Sequence, residues 1–157
     1  MKPELFIRNA LEPALALLPV TMDTPNARAM VIAICLQESR LEHRHQIGGP
    51  AHGYAQFEMG GGVRGVLTHP ASKPHILAVL KELDYTPDVG ECYAAIEHND
   101  ILAVCFARLL LYTLPDLLPV RNEPEMGWNQ YIKAWRPGKP HREFWNENYA
   151  HAWEAVA

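Results

Sequence analysis

The sequence predicts a mainly α-helical single domain spanning residues 1–157, of about seven helices, with one long polar loop or small hairpin after the second. Three observations carry this. Five segments open with a capping residue or a proline near the first helical turn, the favoured way to start a helix. Between those starts, apolar residues recur three and four positions apart. No stretch sustains the apolar–polar alternation of a half-buried strand.

Taken in order, MKPELFIRNALEPALALLPV is broken by Glu4, Arg8, Asn9, Glu12 and Pro13. It has neither the apolar core of a signal peptide nor the length of a membrane span. Thr24-Pro25 opens a helix to about residue 40, with Met30, Val31, Ile34 and Cys35 sharing a face. A polar loop follows, in which residues 45–58 have room for a short irregular hairpin. Ser72-Lys73-Pro74 starts a helix that turns Ile76, Val79, Leu80 and Leu83 inward. Thr86-Pro87 starts the next. Asn99-Asp100 starts one carrying Leu102, Cys105, Phe106, Leu109 and Leu110, and Asn122-Glu123-Pro124 starts one carrying Trp128, Tyr131 and Trp135. The last runs from Phe144 to Val156 with Trp145, Tyr149 and Trp153 along one side. Pro115, Pro119, Pro137 and Pro140 mark breaks.

Composition narrows the function. A chain with 48% apolar and 20% charged residues and no repeat is a globular domain with a sizeable core. A net charge of −4, with Lys and Arg scattered, excludes the basic patch that nucleic acid or an anionic membrane requires. Cys35, Cys92 and Cys105 form no CxxC and cannot all pair, so they read as buried free thiols made in a reducing compartment. No nucleophilic-serine or phosphate-loop motif is present.

Glu38 stands out. On the helix from Thr24 it follows Ile34 and Cys35 by four and three residues, so it continues the apolar stripe, whereas Gln37 and Arg40 point elsewhere. A carboxyl group against an apolar wall is penalised when charged and keeps its proton towards neutral pH, as a general acid requires. The next residues are rich in Gly (Gly48, Gly49, Gly53 and Gly60-Gly61-Gly62), which lets backbone approach a ligand closely. Tyr54 and Gln56 add a phenol and an amide suited to sugars, in a loop long enough to suggest function.

Gln37-Glu38-Ser39-Arg40 and Gly53-Tyr54-Ala55-Gln56 resemble the Glu-Ser and Gly-x-x-Gln motifs of soluble lytic transglycosylases and goose-type lysozymes. Asn99, Ala103, Phe106 and Leu110 fall on the family's Asn-x-x-x-Gly-x-x-Tyr-Leu helix, with Ala for Gly and Phe for Tyr. Ala134-Trp135-Arg136-Pro137-Gly138 stands where the family has Ala-Tyr-Asn-x-Gly. The resemblance spans about residues 24–140, and the ending WNQYIKAWRPGKP is similar to small phage-encoded members. It implies a lysozyme-like α domain whose Glu38 cleaves the bond between N-acetylmuramic acid and N-acetylglucosamine in bacterial peptidoglycan. One carboxylate suffices for a transglycosylase, whereas a hydrolase generally uses a second. Ser39, Tyr54, Gln56, Glu58, Asn99, Tyr131, Trp135 and Arg136 become the expected substrate contacts. Trp135-Arg136 departs most from the pattern, removing an expected phenol and amide and bringing a guanidinium that would lower the Glu38 pKa.

Glu58 is the better candidate for a second carboxylate, and Glu42 reads as a solvated helix end. His43, His45 and His52, with Glu38 and Glu42, match no metal spacing, so no metal and no cofactor are expected. Trp128, Trp145 and Trp153 are assigned to packing, and His141 and His151 to the helix surface. The expected partner is the glycan strand. Phage particle proteins are the alternative, with a non-catalytic particle module as the rival function. A monomer is expected, made in the bacterial cytoplasm without a signal peptide and acting on the cell wall or as a virion component.

Overall fold

The computed structural model describes residues 1–157 and is mainly helical, with no β-strand. Nine α-helical segments occur: α1 Pro3–Phe6, α2 Glu12–Leu15, α3 Pro25–Ser39, α4 Arg64–Thr68, α5 Lys73–Leu83, α6 Val89–His98, α7 Asp100–Tyr112, α8 Pro124–Trp135 and α9 Arg142–Val156. The N-terminal segment is helical: α1 and α2 are joined by a π-helical turn, Ile7–Leu11, just ahead of Pro13. A wider turn accommodates a proline that would otherwise clash with the carbonyl one turn back.

The helix starts obey local chemistry. Thr24 accepts from the Ala27 amide, and Asn99 accepts from the Leu102 amide. α6 is capped by Asp88, two residues beyond the expected Thr86; the Thr86 hydroxyl is held instead by the Glu91 carboxylate. Ser72 precedes α5 as expected, yet it caps nothing. Its backbone is already helical, and its hydroxyl donates to the Val66 carbonyl at 2.7 Å, closing the α4–α5 corner.

Two helices form the core. α7 buries ten consecutive residues, Leu102 to Leu111, and receives α2, α4, α5, α6 and α8 around it. α3 packs against α7 and lies along α9. Its burial corrects the stripe expected from periodicity: Ala29 through Cys35 are all buried, so α3 is a central helix and its solvent end is the C-terminal turn. Arg40 and Leu41 then adopt left-handed backbone (φ 57° and 56°) and turn the chain into the loop. The hairpin expected over residues 45–58 reduces to two isolated antiparallel bridges, His45 with His52 and His52 with Phe57. Gly60-Gly61-Gly62 belongs to a π-helical turn, Met59–Val63, that leads into α4. The three cysteines are buried and unpaired, and no helix is long and apolar enough to cross a membrane.

Candidate active site

Glu38 sits in the last turn of α3, half-buried, at the floor of a cleft of about 740 Å³. Burial pushes its pKa from 4.5 up to about 7; a hydrogen bond from Tyr131 opposes the rise, and the negative charge of Glu58 adds to it. At neutral pH the group is therefore shared between acid and base forms. The Tyr131 hydroxyl donates to Glu38 Oε1 at 2.5 Å. Tyr131 in turn holds its own proton far above the ordinary phenol range, because of burial first and the adjacent Glu38 charge second. It stays a donor throughout any proton movement at Glu38.

Packing aims that phenol. Tyr131 lies on α8 and stacks on Trp145 of α9, with ring centroids 5.4 Å apart and planes 7° from parallel. Gly127 lets α8 come this close: a Cβ there would stand 2.8 Å from Tyr149, 3.2 Å from Trp145 and 3.3 Å from Met30. One turn after Tyr131, Trp135 donates its indole N–H to the Ala55 carbonyl at 2.8 Å and meets Phe57 edge-on. The row Trp145, Tyr131, Trp135 and Phe57 thus joins α9, α8 and the loop behind Glu38.

Of the residues expected at the site, Glu38, Gln56, Glu58, Tyr131, Trp135 and Arg136 line this cleft. Gln56 holds left-handed backbone (φ 55°) and donates its side-chain amide to the Gly53 carbonyl at 2.8 Å, an unfavourable conformation kept at the site. Glu58 is exposed at the rim. Arg136 caps α8 in left-handed backbone and is solvent-exposed; its charge is not among those acting on Glu38, contrary to the lowering expected.

Three expected contacts are corrected. Ser39 is buried behind the cleft, its hydroxyl donating to the Tyr54 carbonyl at 2.7 Å with the Cys35 carbonyl at 3.1 Å. Tyr54 is buried on the far side of the loop, edge-on to Phe6 and beneath the Arg44 guanidinium, 4.7 Å from its ring centre. Asn99 is committed to capping α7 and to the Tyr85 hydroxyl. These residues build the loop rather than face a ligand. Gly53 does the same: with φ 77°, a Cβ on it would stand 2.8 Å from Ile96 and 3.4 Å from Ala103.

The cleft also takes residues outside the expected contacts. Gln37, adjacent to Glu38, turns its amide across to the His141 carbonyl at 2.8 Å and accepts from Asn148 at 2.9 Å, so it lines the cleft instead of pointing away. His141 lines it too, ahead of α9 rather than on a helix surface, with Lys139 and Gln46. Polarity next to a buried carboxyl was the available signal for Gln37; nothing local marked His141. A second groove of about 600 Å³ lies between the N-terminus and α9, where Glu42 and His151 sit.

No protein-family model matches the chain, and neither does any curated protein or solved structure.

Proposed function

We propose that the protein is a lysozyme-like enzyme that cleaves the N-acetylmuramic acid–N-acetylglucosamine bond of peptidoglycan as a lytic transglycosylase. The observation that carries this reading is Glu38: a half-buried carboxyl whose pKa is raised to about 7, held by the Tyr131 phenol on the floor of a large polar cleft. Amides from Gln37, Gln46 and Gln56 and the indole of Trp135 give that cleft the mixed hydrogen-bonding and flat apolar lining suited to a sugar chain.

In the proposed reaction, protonated Glu38 gives its proton to the glycosidic oxygen as the bond to the muramic C1 breaks. The N-acetylglucosamine 4-hydroxyl leaves, and positive charge develops at C1. The Glu38 carboxylate, stabilised by the Tyr131 donor, then takes the proton of the muramic C6 hydroxyl as that oxygen attacks C1. The product is a 1,6-anhydro end, and Glu38 is protonated again. The resemblance in the motifs lacks a phenol at Trp135; Tyr131, one turn earlier on α8, supplies one at Glu38.

A hydrolytic muramidase is the second reading, favoured by one observation: Glu58 lies in the same cleft and its charge acts on Glu38, as a second carboxylate would. A non-catalytic phage-particle module is less well supported, since the guanidinium of Arg136 does not neutralise Glu38. The test is mass spectrometry of fragments released from purified cell wall by wild type, Glu38→Gln and Glu58→Gln. Anhydro ends from wild type and Glu58→Gln, with Glu38→Gln slowed by about 10²–10⁴-fold, are expected. Reducing ends that vanish in Glu58→Gln would establish the hydrolase, and full activity of Glu38→Gln would remove Glu38 from the mechanism.

A further inference from the structure

The loop that walls the cleft has little regular structure of its own, and α6 braces it from outside. Tyr93 stacks face to face on His52, ring centroids 3.8 Å apart, and its hydroxyl donates to the Pro50 carbonyl. One turn further along α6, Glu97 Oε1 lies 2.7 Å from His45 Nδ1. One donor atom from each of His45, His52 and Glu97 therefore lies within 4.8 Å of the others. We propose that these three side chains bind a zinc ion that clamps the cleft-wall loop to α6.

The donor set fits zinc. Two imidazoles and one carboxylate are a usual three-ligand zinc set, with water in the fourth position, whereas calcium and magnesium take oxygen ligands. His52 is the fixed member, buried between Tyr93 and His45. Its Nδ1 lies 2.9 Å from the Tyr93 carbonyl, and a carbonyl can only accept, so Nδ1 carries the proton and Nε2 keeps its lone pair for a metal. His45 and Glu97 are the more exposed members, and their side chains can rotate inward to close the set. None of the three lines the Glu38 cleft, although Gln46, Pro50 and Ala51 beside them do. In the sequence, His45 and His52 with His43, Glu38 and Glu42 match no metal spacing; the fold brings Glu97 to them instead, from a helix forty-five residues after His52.

The clamp is independent of the reaction at Glu38, and its test needs no substrate. Full-length protein dialysed against chelator is titrated calorimetrically with zinc chloride and melted with and without the metal. One zinc per chain and a higher melting temperature are expected, and magnesium should produce neither. His45→Asn and Glu97→Gln alter partly exposed side chains; each should leave the metal-free melting temperature near wild type, weaken binding by more than about tenfold and abolish the thermal gain. His43→Asn, an exposed neighbour outside the trio, should bind as wild type does. Absence of binding or of a thermal gain in wild type, undiminished binding in His45→Asn and Glu97→Gln, or equal loss in His43→Asn would each overturn the site.

Discussion

At the scale of single residues, Glu38 is governed by influences that can be removed one at a time. Burial raises its pKa, the Tyr131 hydroxyl lowers it, and the Glu58 charge raises it. Tyr131→Phe deletes the lowering donor, so the pKa climbs above about 7. The alkaline limb of the pH–rate profile, where the acid form is lost, should then move to higher pH. Glu58→Gln deletes a repelling charge and should move the same limb to lower pH. Cell-wall turnover measured against pH checks both; shifts in one common direction, or none, would mean that Glu38 is not the proton donor. Much of this residue was readable beforehand. Its place after Ile34 and Cys35 put it against apolar neighbours, and burial is the largest cause of its shift. Its phenol was not, because Tyr131 lies ninety-three residues away and meets Glu38 only through helix packing.

At the scale of elements, what could be read depended on how local the bonding is. Thr24 and Asn99 cap their helices through amides three residues on, so sequence proximity dictates the contact. Ser39 illustrates the opposite. Beside Glu38 in the motif, it invites a role towards substrate, yet its hydroxyl joins α3 to the loop at the Tyr54 carbonyl. Ser39→Ala should leave that buried carbonyl without its donor and cost about 1–3 kcal/mol of stability. The product type should stay as in wild type, and the rate should follow the folded fraction. Chemical denaturation paired with fragment analysis checks this; a rate loss in fully folded variant would return Ser39 to the substrate. Tyr54 and Asn99 turn away from the cleft for the same reason, since a motif places polar groups in order along the chain without saying which side of a loop they occupy.

At the scale of the whole molecule, the site is held at the expense of stability. The Glu38 pKa is about 7 when folded, against 4.5 for an unperturbed carboxyl. The folded protein therefore binds more protons than the unfolded chain across that window, and stability falls as pH rises through it. The loss is absent below 4.5, complete above about 7, and on the order of 3 kcal/mol at ~1.36 kcal/mol per pH unit. Glu38→Gln removes the titration, so it should melt higher than wild type above about pH 7 and equally below pH 4.5, as thermal unfolding across pH would show. A uniform difference at all pH values would mean that Glu38 is not buried as an acid. The helical class, the starts of α3 and α7 and the proton-holding carboxyl followed from spacing, capping and apolar neighbours, which are short-range properties written along the chain. The cleft, the Trp145–Tyr131–Trp135 row behind it, and the His45–His52–Glu97 cluster depended on which helices pack together. Those pairings bring Glu97 to His52, forty-five residues away, and Tyr131 to Glu38, ninety-three residues away, and no periodicity in one segment records which face another segment will meet.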